Sequence, residues 1–284
     1  MFFGNTGETI AVADTIKKAA LGNSDPNWIM HHIMDANSIE IPFTDRNIYL
    51  PHLQLLGLDI SITKYTVFIW VVAILLLVVG LIAAKGYKKS LVPKGFTNLL
   101  EILILFVRDE IVKPAIGHGF EPYLPYMLTL FFFILISNLL GLVPFTTTIT
   151  SNIAVTGTLA IISFIATQYS GMKSRGVLKY IIGLVPKGMP VFIIPLMAVI
   201  ELVGLFTKPF ALCVRLFANM VAGHMVILSL LGFIFILRTF YVAPASIGFA
   251  LFIEVLELLV AFIQAYVFTM LTALFIGMAK HSDH

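Results

Sequence analysis

Long apolar runs separated by short polar stretches organise this sequence from residue 66 onward. Thr66 to Ala84 carries no charge. At ~1.5 Å per residue it matches the ~30 Å hydrocarbon core of a bilayer, which predicts a first membrane helix over about 66–84. Lys85, Lys88, Lys89 and Lys94 follow, with no acid among them. From Phe96 to Val112 an apolar face is broken by Glu101, Arg108, Asp109 and Glu110. That pattern predicts an amphipathic helix lying in the membrane interface over about 96–112. Tyr123 to Val143 and Asn152 to Tyr169 predict second and third spans, over about 123–143 and 152–169. Asn138 lies near the far end of the second, Pro144 just beyond it, and Thr146 to Thr150 precede the third. A second acid-free basic loop follows: Lys173, Arg175, Lys179 and Lys187. Gly188 to Ala279 is then almost continuously apolar, punctuated by Pro190, Pro195, Pro209 and Pro244. Its length predicts a helical hairpin region over about 189–237 and a last span over about 246–279.

Composition turns this pattern into a class. Of 284 residues, 59% are hydrophobic and 12% charged, half the roughly 25% charge of a soluble domain. Such a chain cannot cover itself with polar surface, which excludes a soluble enzyme. It is too poor in charge for a disordered protein, and the single cysteine, Cys213, excludes a disulfide scaffold. Unbroken runs rather than short alternating segments exclude a β-barrel. The expected fold is an all-α integral membrane protein with about five membrane helices and one interfacial helix. Its first partner is the lipid bilayer. A net charge of +3 is too small to argue for nucleic acid.

The charges also orient the chain. Both acid-free basic loops belong on the cytoplasmic side, or its matrix equivalent, by the positive-inside rule. Residues 1–65, with seven acids and four bases, then form an extramembrane segment on the outer side, and residues 66–284 form the membrane domain. A charged region followed by an apolar core is missing at the N-terminus, so no standard signal peptide is predicted. The absence of a transit peptide favours a bacterial plasma (inner) membrane, with an organelle inner membrane as the alternative, since organelle-encoded chains also lack one. His31, His32 and His52 lie in the polar segment. Adjacent histidines without further ligands argue little for a metal, and no metal or cofactor is expected.

Six formal charges occur between Gly188 and Ala279: Glu201, Lys208, Arg215, Arg238, Glu254 and Glu257, with His224 also titratable. A charge near a bilayer centre costs ~2.5–3.5 kcal/mol on insertion scales, so such residues usually mark ion paths or buried partners. Lys208 and Arg238 lie near the ends of their segment and are expected to snorkel to the interface. Arg215 keeps its proton under protein conditions and needs a wet groove or a carboxylate. A salt bridge to Glu254 or Glu257 that merely fixes packing is the simplest alternative. Helical spacing places Arg215 and Asn219 on one face and His224, nine positions on, on the opposite one. Glu257 and Gln264, seven apart, share a face of the last helix. Two polar environments thus flank a permanent cation, an arrangement suited to stepwise proton movement.

These residues resemble a known family. The run from Lys208-Pro209 through Arg215-Leu-Phe-Ala-Asn219-Met-Val-Ala-Gly223-His224 is similar to the signature helix of subunit a of F-type ATP synthases. Gln264-Ala-Tyr-Val-Phe resembles that family's last helix, and Asn138-Leu-Leu-Gly-Leu-Val-Pro144 its N-x-x-x-[LI]-[LV]-P segment. The likeness covers about residue 60 to the end. It implies a non-catalytic, proton-translocating stator subunit of the membrane sector, with c-ring and peripheral-stalk b subunits as partners. Arg215 matches the arginine that faces the ring carboxylates and separates two half-channels. Asn219 and Gln264 match polar residues beside it. His224 and Glu257 match an interacting pair on the proton path; some bacterial members carry Glu at the first position and His at the second, the reverse of this chain. Glu254, Glu201 and Asn138 are candidate channel residues. The resemblance further implies that the last two long helices lie steeply tilted against the ring.

Three rivals fit less well. A secondary ion-coupled transporter would show internal repeats with paired broken helices, and the Lys208–His224 segment has no counterpart upstream. A haem subunit would need several intramembrane histidines, where His224 alone lies within a span. A passive scaffold subunit leaves Arg215 without a reason to exist.

Overall fold

A computed structural model describes residues 38–40, 47–49, 54–55, 58–59, 63–89, 95–143, 148–183, 192–237 and 243–281. The His31–His32 pair, His52, Lys94, Pro144, Lys187, Pro190, Arg238 and His284 fall outside the described residues. Strands occur, among the described residues, only before residue 60. There β1 (Ser38–Glu40) pairs antiparallel with β2 (Asn47–Tyr49), and β3 (Gln54–Leu55) with β4 (Leu58–Asp59). The residues described after them are helical apart from short turns and irregular junctions.

Among the described residues, five helices are long and apolar enough to cross a membrane. α1 spans Lys64–Lys89, followed by α2 (Phe96–Phe106). A π-helical turn, Val107–Val112, links α2 to the short α3 (Lys113–Ile116). The stretch expected as an interfacial helix over 96–112 therefore runs on to Ile116, and its second half enters the bundle. Widening the turn lets Val107, Ile111 and Val112 all point inward, fully buried, while Asp109 and Glu110 remain outside. Arg108 donates to its neighbour Asp109 through Nε and Nη2 at 2.9 and 2.8 Å. The outer face of α2 keeps Phe96, Leu99 and Ile102 exposed.

α4 (Leu124–Gly141) has Pro125 in its first turn, where the missing N–H has no helical partner to lose. α5 (Ile153–Arg175) is capped by Asn152, whose Oδ1 accepts the Ala154 N–H at 2.8 Å. It ends at Gly176, whose φ of +83° reverses the chain into α6 (Val177–Ile182). The core lies where the π-turn, α4 and the two last helices meet, around Ile111, Phe131, Ile134, Leu216, Phe268 and Ile276. Phe106 anchors it, with ring centroids 6.5 Å from Phe131, 6.0 Å from Phe262 and 5.8 Å from Tyr266.

The expected hairpin over 189–237 is replaced by one continuous helix, α7 (Ile194–Leu237, 44 residues). The chain turns back only after it, into α8 (Ala243–His281, 39 residues). Pro209 lies inside α7 without ending it. In the turn before the proline, Thr207 Oγ1 donates to the Gly204 carbonyl at 3.1 Å, while the carbonyl that loses its helical donor to Pro209 is that of Leu205, four residues before it. At ~1.5 Å per residue α7 is ~66 Å long, about twice the ~30 Å hydrocarbon thickness. It must tilt steeply or run out into headgroups and water.

Candidate functional site

α7 and α8 supply the site, and three polar groupings follow one another along α7. The first is at its C-terminal half. Asn219 Nδ2 donates to Gln264 Oε1 at 3.0 Å, with Gln264 buried. One turn further on, Glu257 of α8 is 7% exposed, and its carboxylate rests on the backbone of Gly223. A Cβ at Gly223 would overlap that carboxylate. Glu257 Oε1 is buried and has no hydrogen-bond partner among the described residues. His224, the next residue along α7, bonds through Nε2 to the hydroxyl of Thr148. Thr148 is buried against Gly141, where a Cβ would approach its Oγ1 to 2.6 Å. Fully buried Asn138 accepts a bond from Thr150 Oγ1 at 2.7 Å and donates to the Ala261 carbonyl at 3.4 Å. Buried polar groups this far inside cost free energy unless paired or wet.

The structure thus gathers Asn138, His224, Glu257, Asn219 and Gln264 at one end, and adds Thr148 and Thr150. The threonines were visible in the sequence only as a polar run before α5. Their contact with His224 and Asn138 depends on how that turn folds over α4.

Arg215 comes next. Leu212, Cys213 and Leu216 around it are buried, while Arg215 itself is exposed. Among the described residues it makes no ion pair or hydrogen bond, so the packing salt bridge to Glu254 or Glu257 is not formed. Glu254 is half-buried, three residues before Glu257.

The third grouping is a cavity of about 660 Å³ toward the N-terminal half of α7. Glu201 and Lys208 line it from α7, and Ser163, Thr167 and Gln168 from α5. Glu201, Lys208 and Arg215 are spaced by seven, so they follow one stripe of the helix with ~20° of drift per step. Lys208 does not snorkel to a helix end as expected. Because α7 is continuous, Lys208 lies well inside it, its ammonium 5.4 Å from the centroid of Phe275 on α8. Sequence reasoning had Glu201 as a candidate but missed the hydroxyl wall of α5, since nothing local marks which face of α5 meets α7. Among the described residues no three His, Cys, Asp or Glu side chains are placed to hold a metal ion.

Residues 66–277 match the family model described as ATP synthase A chain. The chain is 52% identical over 273 residues to ATP synthase subunit a 2 of Chlorobaculum tepidum, covering 94% of this chain and 77% of that one. It is 49% identical over 260 residues to ATP synthase subunit a of Chloroherpeton thalassium, covering 90% and 77%. For ATP synthase subunit a of Myxococcus xanthus the figures are 46% over 269 residues, 91% and 87%. By a family match over most of its length and these close relatives, the chain belongs to the ATP synthase A chain family.

Proposed function

We propose that this chain is the non-catalytic, proton-conducting stator subunit of a rotary ATP synthase in a bacterial plasma membrane, facing a ring of carboxylate-bearing c subunits and held by peripheral-stalk b subunits. The observation that carries the reading is Arg215, an exposed guanidinium unpaired among the described residues, standing between two polar regions on one helix. At ~1.5 Å per residue, His224 is ~13.5 Å beyond it and Glu201 ~21 Å before it.

The chemistry follows from solvation. A ring carboxylate arriving from lipid is protonated, because an unpaired carboxylate in hydrocarbon is very costly. Beside Arg215 the ionised form is favoured and the proton leaves. Past the arginine the carboxylate takes up a proton again before it returns to lipid. One polar region supplies protons and the other drains them, and the fixed cation between them blocks a direct path. With the basic loops in the cytoplasm, Asn138, Thr148, His224 and Glu257 form the outer half-channel, with Asn219 and Gln264 near Arg215. The cavity holding Glu201 forms the inner one. Membrane potential adds ~2.3 kcal/mol per charge per 100 mV to each transfer.

The test is Arg215→Ala in the assembled complex. Gradient-driven ATP synthesis in reconstituted vesicles should vanish while subunit content stays normal. Normal coupled synthesis at normal assembly overturns the proposal.

A further inference from the structure

One wall of the cavity includes a residue from outside the membrane helices. On α6, Val177 is 55% and Leu178 77% exposed, and Lys179 is exposed, yet Tyr180 is only 8% exposed. Three features of the sequence bury it. Gly176 permits the left-handed turn that sends α6 back over the end of α5. Gly171 lacks the side chain that would fill the space of the Tyr180 ring, and the ring lies on its bare backbone. The phenol hydroxyl donates to Gln168 Oε1 at 2.8 Å. Gln168, Tyr180 and Gly183 all line the cavity that contains Glu201 and Lys208.

The surrounding rim is tied by other bonds. Arg175 Nε and Ser174 Oγ donate to the Lys280 carbonyl at 3.3 and 3.4 Å. Lys280 Nζ in turn donates to the carbonyls of His118 and Gly119. These bonds join the ends of α5 and α8 to the turn after α3, so that end of the bundle is fixed by several links. Tyr180, by contrast, is held through one side-chain hydrogen bond and a ring seated on glycine. It is the weakly latched part of an otherwise tied wall, and opening it costs one neutral hydrogen bond and the burial of one ring.

We propose that Tyr180 is an aromatic plug at the basic end of the cavity, latched by Gln168, and that its opening sets the rate at which water reaches Glu201. The inference rests on the half-channel reading of the cavity. It assigns Tyr180 and Gln168 positioning roles in that channel, with no proton transfer of their own.

The experiment uses the whole complex in inside-out membrane vesicles, with Cys213→Ala as background and a single cysteine at the cavity position Leu205. A membrane-impermeant maleimide is added from the basic-loop side. Tyr180→Phe keeps the ring and loses the latch, so labelling at 205 should rise about two- to tenfold, the range for losing one neutral hydrogen bond. Gln168→Leu should match it, and Tyr180→Ala should exceed both. A cysteine at exposed Lys85, in the first basic loop, should label equally in all variants. Unchanged labelling at 205 in Tyr180→Phe and Gln168→Leu, at normal subunit content, overturns the proposal even where Tyr180→Ala fails to assemble. The labelling ratio does not depend on proton coupling, so an active Arg215→Ala would defeat the half-channel reading while leaving this measurement to decide the plug.

Discussion

The Glu257 carboxylate lies on the Gly223 backbone, in space that any larger residue would fill. The overlapping atoms are the far end of a flexible side chain, so the carboxylate has room to swing away. Gly223→Ala should therefore assemble normally, helped by the ~1 kcal/mol advantage of Ala over Gly in a helix. It should nonetheless cut gradient-driven proton flux several-fold, because the displaced carboxylate leaves its buried position against the backbone of α7, one residue before His224. Gly277 provides the contrast, since a Cβ there would overlap the Ala115 backbone carbonyl, which cannot swing. Gly277→Ala should cost ~1–3 kcal/mol of packing and lower subunit content in the membrane. Equal assembly of the two variants, measured by subunit content on a gel, would contradict this division.

His224 and Glu257 should act as a unit. Glu257→Leu and His224→Ala should each impair proton conduction, while the exchange His224→Glu with Glu257→His should recover part of it. One acid and one imidazole then remain in the same space, within reach of Thr148. Proton conduction in vesicles across the two single and one double exchange gives the coupling. A double exchange equal to the sum of two independent losses would show that the two groups do not interact.

Much of this site was legible because helix geometry converts spacing into direction. Asn219 and Gln264 meet in the structure; spacing alone paired each with a neighbour on its own helix, and only the family resemblance put both beside Arg215. Arg215 stood out because a guanidinium in apolar sequence has no means of becoming neutral. What was hidden depended on contacts between distant segments. The continuity of α7 was obscured by Pro209, which normally ends a helix, and by a length that exceeds a perpendicular crossing. Once α7 is unbroken, Lys208 lies well inside it and lines the cavity. The π-turn was equally hidden, since one widened turn shifts the inward face from an ordinary helical pattern to Val107, Ile111 and Val112 together. Tyr180 carried no signal at all: its burial rests on two glycines whose value appears only when α6 folds over α5.

The orientation is open to direct measurement. Cysteines placed in the basic loops, at Lys85 and Lys179, should react with an impermeant reagent in inside-out vesicles and stay protected in intact cells. The expectation comes from the two acid-free loops, which agree on one side of the membrane. Labelling of either position from outside intact cells would reverse the assignment of the inner and outer half-channels.

Arg215→Lys separates charge from geometry. A salt-bridge residue replaced by Ala would strand a buried carboxylate at a cost of ~3–5 kcal/mol and reduce assembly. Arg215 has no such partner among the described residues, so both Arg215→Ala and Arg215→Lys should assemble. Both should lose gradient-driven ATP synthesis, because a compact ammonium lacks the planar fork and reach with which guanidinium meets successive carboxylates. They should differ in passive proton leak. Removing the cation opens a direct path between the two polar regions and the leak rises in Arg215→Ala. The retained charge of Arg215→Lys keeps the leak nearer that of the parent. Proton permeability and synthesis measured in the same vesicles test both halves of the argument. An Arg215→Lys complex that synthesises ATP normally would show that charge alone suffices at this position, and a leak-free Arg215→Ala would show that the arginine is not the barrier.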